Sequence, residues 1–78
     1  MNPTPILVVA YAGCRGLERP HVFFLEQRRI EVLEIVSRWV QEEVADRRQR
    51  RFFVVRGDDG AEHTLWVDVA TSEWYRVG

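Results

Sequence analysis

The sequence predicts a single all-β domain, an antiparallel meander of five or six short strands that can also roll into a small open barrel. Short β-branched and aromatic runs alternate with Gly, Pro and Asp turn signals, and 78 residues are enough for only one domain. We expect a flexible N-terminal lead-in over residues 1–5, which holds two prolines, followed by the β domain over residues 6–78.

The first two predicted strands lie in the N-terminal third of the chain. The first covers residues 6–11, between a proline and a glycine, and the second covers residues 21–26, after the breaker Pro20. Gln27-Arg28 is the predicted tight connection to the next strand. Neither residue is the Gly, Asn or Asp that a two-residue hairpin turn favours.

The segment from Arg29 to Val44 fits two periodicities. Apolar residues recur every three or four positions from Ile30, as in an amphipathic helix, and they also alternate as in a strand. Several β-branched residues and the lack of an N-cap residue before Ile30 favour a strand over 29–40, with a short helical or irregular stretch through 41–46. The alternative is an α+β fold with a helix at 30–44.

The C-terminal half contains the clearest turn signal. A charged connector over 47–51 leads into a strand over 52–55. Asp58-Asp59-Gly60 then supplies the positive φ values that a hairpin turn requires, and the return strand covers 63–69. Residues 74–77 form the last predicted strand.

Several short motifs occur in a recognisable order: Glu18-Arg19-Pro20, an aromatic strand, the run from Arg28 to Trp39 (RRIEVLEIVSRW) and Arg56-Gly57-Asp58-Asp59-Gly60. This order resembles a family of small bacterial proteins of about this length whose function is not established. The family favours Gly where this chain has Gln27. The resemblance implies an all-β domain and a strand over 29–40, and it implies no activity.

Composition limits the function. The formal net charge is −1, so no overall field favours nucleic acid or an anionic membrane, and all eleven basic residues are arginines. The one cysteine excludes an internal disulfide. We expect a cytoplasmic protein without membrane association.

The residues that can carry catalysis or bind metal are few. Cys14 is the candidate nucleophile, but a loop thiol without a role is the favoured interpretation. No pair has the spacing of a metal site among the candidate ligands, which are Cys14, His21, Asp58, Asp59, His63 and Asp68. We therefore predict no enzyme activity, no cofactor and no metal.

The best candidate contact residues are arginines next to aromatic side chains. They are Arg47, Arg48, Arg50, Arg51, Phe52 and Trp66. Arginines can contact phosphates while an aromatic ring stacks on a base, but the acidic residues over 42–46 can neutralise the arginine run.

Two functional hypotheses follow. A non-catalytic binding or interaction module, with a protein partner or a homodimer, is the first, and an accessory module that contacts nucleic acid is the second. Trp39 is expected in the core. Trp66 is expected either on an exposed aromatic face or as a plug at one end of a barrel.

Overall fold

Antiparallel strands make up all the regular structure in the residues that this computed structural model describes, which are 3–12, 18–45 and 47–77. The strands follow one another in space as they do in sequence, and β6 pairs with β1 to close a barrel. They are β1 (Thr4–Ala12), β2 (Glu18–Leu25), β3 (Arg28–Glu42), β4 (Gln49–Gly57), β5 (Glu62–Asp68) and β6 (Trp74–Val77). The predicted all-β meander is confirmed, and the barrel is closed.

Strand ends differ from the predicted ones in the N-terminal third. Thr4 and Pro5, assigned from sequence to a flexible lead-in, belong to β1 because they pair with β6. β2 begins at Glu18 and includes Pro20, which lies opposite Ala10 where the β1–β2 register shifts. A proline cannot donate to the ladder, so it fits a strand at such an irregular position. The predicted loop residues 13–17, including Cys14, lie outside the described residues.

The ambiguous segment forms one long strand, β3, so the alternative helix at 30–44 is wrong. The predicted irregular stretch over 41–46 also begins too early, since β3 continues through Glu42. β3 has two neighbours in succession: residues 28–31 pair with β2, and residues 32–42 pair with β4. Two register shifts, at Leu33 and at Val36, mark the bend between these parts, as β-bulges do.

The barrel interior is an apolar cluster from β2 to β6. Its buried members are Phe23, Ile30, Phe53, Val55, Leu65, Val67 and Trp74. On β4, β5 and β6 they alternate with residues that face outward, so Phe52, Trp66 and Tyr75 lie on the outside of the barrel. Trp39 is opposite Phe52 and is 44% exposed. The expectation that Trp39 belongs to the core is therefore wrong.

The β2–β3 turn consists of Glu26 and Gln27, one residue earlier than predicted. Both residues have positive φ, 50° and 70°. Two central residues with positive φ are typical of the primed turns that match the twist of a hairpin. This backbone is strained for residues with a Cβ atom.

Replacing Gln27 by glycine should stabilise the protein. Gln27→Gly removes the steric cost of a positive φ, and we expect the free energy of unfolding to rise by about 1 kcal/mol. Urea denaturation measures the change. The matched control is Gln41→Gly, in the extended part of β3, which should destabilise. A destabilised Gln27→Gly variant would contradict the turn geometry.

The β4–β5 turn has two glycines with different roles. Gly60 has a φ of 83° and no atom within 4 Å of the place where a Cβ would be. A Cβ on Gly57 would lie 2.6 Å from both the Asp59 carboxylate and the Ile30 side chain. Gly57 is therefore required by close packing, whereas Gly60 is required by its backbone conformation alone.

The Gly60→Val variant tests the backbone requirement. Because the surrounding space is open, its cost comes from the positive φ, and we expect a loss of about 1–3 kcal/mol in the free energy of unfolding. Gly60→Asn is the control, since asparagine tolerates this region better and should cost less. Equal losses for the two variants would contradict this assignment.

Candidate functional site

Four aromatic side chains form a continuous row across the outside of β3, β4, β5 and β6. Trp39, Phe52, Trp66 and Tyr75 are successive cross-strand partners. Their ring centroids are 5.1, 6.0 and 4.3 Å apart in that order, with interplanar angles of 5°, 29° and 20°. We call this set the aromatic row.

The rings of the aromatic row are stacked face against face, and Trp39, at one end of the row, has a stacking neighbour among the described residues on one face only. Trp66 is only 8% exposed although it lies outside the barrel, because Phe52 and Tyr75 cover its faces. It is therefore neither an exposed patch nor a barrel plug. Pro5 follows Tyr75 in register on β1. At the other end of the row, Trp39 lies on a part of β3 whose outer side has no paired strand among the described residues.

The hydroxyl group of Tyr75 is fixed at the rim of the row. It donates a hydrogen bond of 2.8 Å to the Glu73 carboxylate. This hydrogen bond, together with partial burial and the negative charge of Glu73, raises the pKa of Tyr75 above its ordinary value. Tyr75 is therefore held as a neutral phenol.

The predicted arginine run is divided by the strand that it enters. Arg50 and Arg51 belong to β4 and not to a connector, so they point to opposite faces. The Arg50 guanidinium lies 4.8 Å from the Trp66 ring centroid and 3.4 Å from the Glu43 carboxylate. Its Nε is buried without a hydrogen-bond partner.

Acidic residues neutralise part of this arginine run. Besides the Arg50–Glu43 pair, Arg48 lies 3.8 Å from the buried carboxylate of Asp68. Of the predicted contact residues, the structure therefore brings Arg50, Phe52 and Trp66 together. Arg51 is opposite Val40 on the other face of the β3–β4 hairpin, and Arg47 lies in the connection before β4.

An unpaired strand edge adjoins Trp39. The backbone N–H of Glu43 donates to the carbonyl of Arg48, so alternate residues before Glu43 also point their backbone groups toward β4. The intervening residues Arg38, Val40 and Glu42 then point their N–H and C=O groups away from β4. On that side, the described part of the chain has no strand paired with them. We call residues 38–42 the open edge.

A cleft continues from the open edge toward the barrel. It forms where β2 and β3 separate beyond the Val22–Glu31 pair, and its volume is 530 Å³. Residues 19–21 line one side and residues 32–38 line the other. Apolar side chains stay exposed along β3 and the turn after it: Leu33, Val36, Trp39, Val40 and Val44.

A buried polar network lies at the opposite end of the barrel, beside the β4–β5 turn. The Nε2–H of His63 donates to the Asp59 carboxylate at 2.9 Å, and Arg76 Nε–H donates to His63 Nδ1 at 3.3 Å. Arginine has no acceptor, so this geometry fixes the ring tautomer with the proton on Nε2. The ring also packs edge-on against Phe23, with centroids 5.1 Å apart.

Two opposing influences act on the pKa of Asp59. Burial has the largest effect and raises this pKa, but hydrogen bonds from the Ala61 amide and the His63 ring oppose burial, and the net result is a pKa below the ordinary value. The ionised carboxylate is therefore the form that this turn stabilises.

The candidate metal ligands that the structure describes do not form one cluster. His21 lies at the cleft, Asp58 accepts a hydrogen bond from the Glu31 amide in the β4–β5 turn, and Asp68 caps the end of β5. Asp59 and His63 are in contact. In the residues that the structure describes, no three His, Cys, Asp or Glu side chains form a group able to hold a metal ion.

The open edge is the feature that sequence reasoning missed. The sequence did contain an indication of the open edge: the segment that forms β3 is long, and its apolar residues occur at both strand and helix spacing. The pattern does not reveal that pairing of β3 with β2 ends at Glu31, because this depends on how the two strands meet in the barrel.

No family, no curated protein and no solved structure matches this chain significantly. The family resemblance seen in the sequence motifs therefore stays a prediction. Across residues 3–12, 18–45 and 47–77 there is no helix with the length and apolar character needed to cross a lipid bilayer.

The Asp59 carboxylate makes stability depend on acid pH. A lowered pKa in the folded state contributes stability that is present above the unfolded value of about 3.9 and lost as the pH falls through the folded value. We expect the free energy of unfolding of the wild type to fall more steeply below about pH 4 than that of Asp59→Asn.

Urea denaturation between about pH 5 and pH 2.5 measures both slopes. Asp58→Asn is the matched control, because it changes the neighbouring carboxylate without removing the contact with His63. Parallel pH profiles for the wild type and Asp59→Asn would contradict the role of this carboxylate.

Proposed function

We propose that this protein is a non-catalytic interaction module that binds an extended segment of a protein partner along the open edge. The observation that carries the proposal is the row of outward-pointing backbone groups of Arg38, Val40 and Glu42, which have no strand partner in the described chain. An added strand would satisfy these groups through main-chain hydrogen bonds. Natural proteins normally cover or blunt such an edge.

Exposed side chains near the edge support the same function. Val40, on the open edge itself, is 59% exposed, and Val44 in the following turn is 92% exposed. Contiguous exposed apolar groups are typical of an interaction surface. The side chains that line the adjoining cleft offer a partner further contacts, in addition to the main-chain hydrogen bonds.

A catalytic role has less support. The Asp59–His63 pair resembles the orienting half of a catalytic triad, but Arg76 engages the other ring nitrogen. A general base needs that nitrogen free for a nucleophile. We infer a cytoplasmic setting, for which the single cysteine, unable to form an internal disulfide, is the support.

A proline on the open edge tests strand addition. Val40→Pro removes an outward-pointing N–H and leaves the ladder to β4 intact, so the fold should persist while peptide binding falls. The probe is a phage-displayed library of random twelve-residue peptides selected on the wild type.

Selected peptides should bind Val40→Pro about tenfold more weakly or worse, and should bind the control Val40→Thr, which keeps the N–H, about as well as the wild type. Circular dichroism and urea denaturation check folding. Peptides that bind Val40→Pro as tightly as the wild type would show that the edge is not the site.

A second candidate function is contact with single-stranded nucleic acid. The favouring observation is the Arg50 guanidinium over Trp66, in an aromatic row that ends at the exposed ring of Trp39. The stacked faces of the aromatic row leave little ring surface for bases, and two arginines of the run are paired with acids.

Fluorescence anisotropy of labelled oligo-dT and oligo-U measures this second function. A nucleic-acid contact predicts binding that weakens with rising salt. Binding should also weaken when alanine replaces Arg47, Arg48, Arg50 and Arg51 together. Binding that is insensitive to salt, or unchanged in the alanine variant, would exclude it.

A further inference from the structure

We propose that the partner strand at the open edge is the same strand of a second copy of this chain. This inference rests on the proposed function and names its partner. The two copies of β3 would run antiparallel about a two-fold axis at Val40. The numbers of two residues that lie opposite each other then add up to 80. Such an isologous contact closes on itself as a dimer.

Backbone geometry restricts the possible registers. Arg38, Val40 and Glu42 point their backbone hydrogen-bonding groups outward. To form a ladder, each of them must lie opposite one of these same three residues in the second copy. A two-fold axis at Val40 achieves this for all three: Val40 pairs with its own copy, and Arg38 pairs with Glu42 twice.

Charge complementarity selects this register. Arg38 and Glu42 are both exposed, and four residues of extended strand separate them by about 13 Å, too far to pair within one chain. Across the axis they are direct neighbours of opposite sign, which stabilises antiparallel pairs. Moving the axis to Trp39 would instead place Arg38 opposite Val40 and leave both charges without a partner.

Apolar groups are also matched. Val40, 59% exposed in the free chain, would contact its own copy at the axis. Trp39 would lie opposite Gln41 and diagonal to the second Trp39, within the reach of aromatic side chains. The two aromatic rows would then meet across the axis, and the open face of Trp39 would be covered.

In the proposed dimer, the cleft of each copy would be filled by the β3–β4 turn of the other copy. Continuing the register places Val44 of one copy near Val36 of the other, which lines the cleft. Val44 is 92% exposed, the largest exposure among the apolar side chains described. The β3–β4 turn of each copy would therefore enter the cleft of the other, and the reciprocal contact buries both.

Charge reversal tests the register. Arg38→Glu places like charges opposite each other at both pairs, and so does Glu42→Arg, so each variant alone should dimerise about tenfold more weakly or worse in sedimentation equilibrium. An equal mixture of the two variants makes every cross-axis pair attractive again. The mixture should therefore associate as well as the wild type.

The matched control is Arg29→Glu. It makes the same change of charge on an exposed residue of β3, in the part already paired with β2, and should leave dimerisation unchanged. Equal weakening by Arg29→Glu and Arg38→Glu would mean that overall charge, and not the register, controls association, which would overturn the proposal. A mixture that fails to recover would overturn it as well.

Cysteine cross-linking tests the position of the two-fold axis directly. In a Cys14→Ser background, Val40→Cys should form a disulfide-linked dimer under mild oxidation, because paired residues on adjacent strands lie within disulfide distance. Val36→Cys, similarly exposed, lies far from its own copy in this register and should not cross-link. Cross-linking at position 36 in preference to position 40 would overturn the proposal.

The outcomes separate this inference from the function on which it rests. A wild type that stays monomeric near millimolar concentration but binds library peptides, with loss in Val40→Pro, would overturn the dimer and support strand addition. A dimer that persists in Val40→Pro and in Arg38→Glu would overturn the dimer proposed here. Peptides that bind Val40→Pro as tightly as the wild type would overturn the proposed function.

Discussion

The bend in β3 is the constraint on which the rest of the structure depends. Residues 28–31 of β3 pair with β2 and residues 32–42 pair with β4, and the extra residues at Leu33 and Val36 change the local direction of the strand. The same bend moves the second half of β3 away from β2. Exposure of the open edge therefore follows from the path of β3, whereas the pairing of β6 with β1 closes the barrel.

The small size of the chain explains why aromatic side chains lie on both sides of the sheet. A 78-residue domain buries a modest part of its surface, and its interior cluster holds only a few large side chains. The aromatic row adds a second apolar layer outside the barrel, in which stacked pairs contribute about 0.5–1.5 kcal/mol each beyond their buried area. The row crosses four adjacent strands, from β3 to β6, and its stacked rings connect the first of these strands to the last.

The two ends of the barrel have different roles. At one end, the β4–β5 turn is held by the contacts of Asp59 with Ala61 and His63, and Arg76 holds the other side of the ring. These hydrogen bonds engage both ring nitrogens of His63 and both carboxylate oxygens of Asp59, so the arrangement favours rigidity. At the other end, the open edge presents backbone groups that have no strand partner among the described residues, and exposed apolar side chains lie beside it, so a partner strand gains most by binding there.

Sequence by itself determined the fold class, most of the strands and the Gly60 turn, because alternation, β-branching and positive-φ residues are local properties. It also grouped Arg50, Phe52 and Trp66, which the structure brings together. It did not decide whether residues 30–44 form a helix or a strand, since apolar residues there fit both periods. Tertiary pairing with β4 decided that, and only the tertiary structure separated β2 from β3, stacked Trp66 between Phe52 and Tyr75, and left Trp39 outside the core. These features depend on which strands meet across the barrel, and contacts between distant parts of a chain leave no local pattern in its sequence.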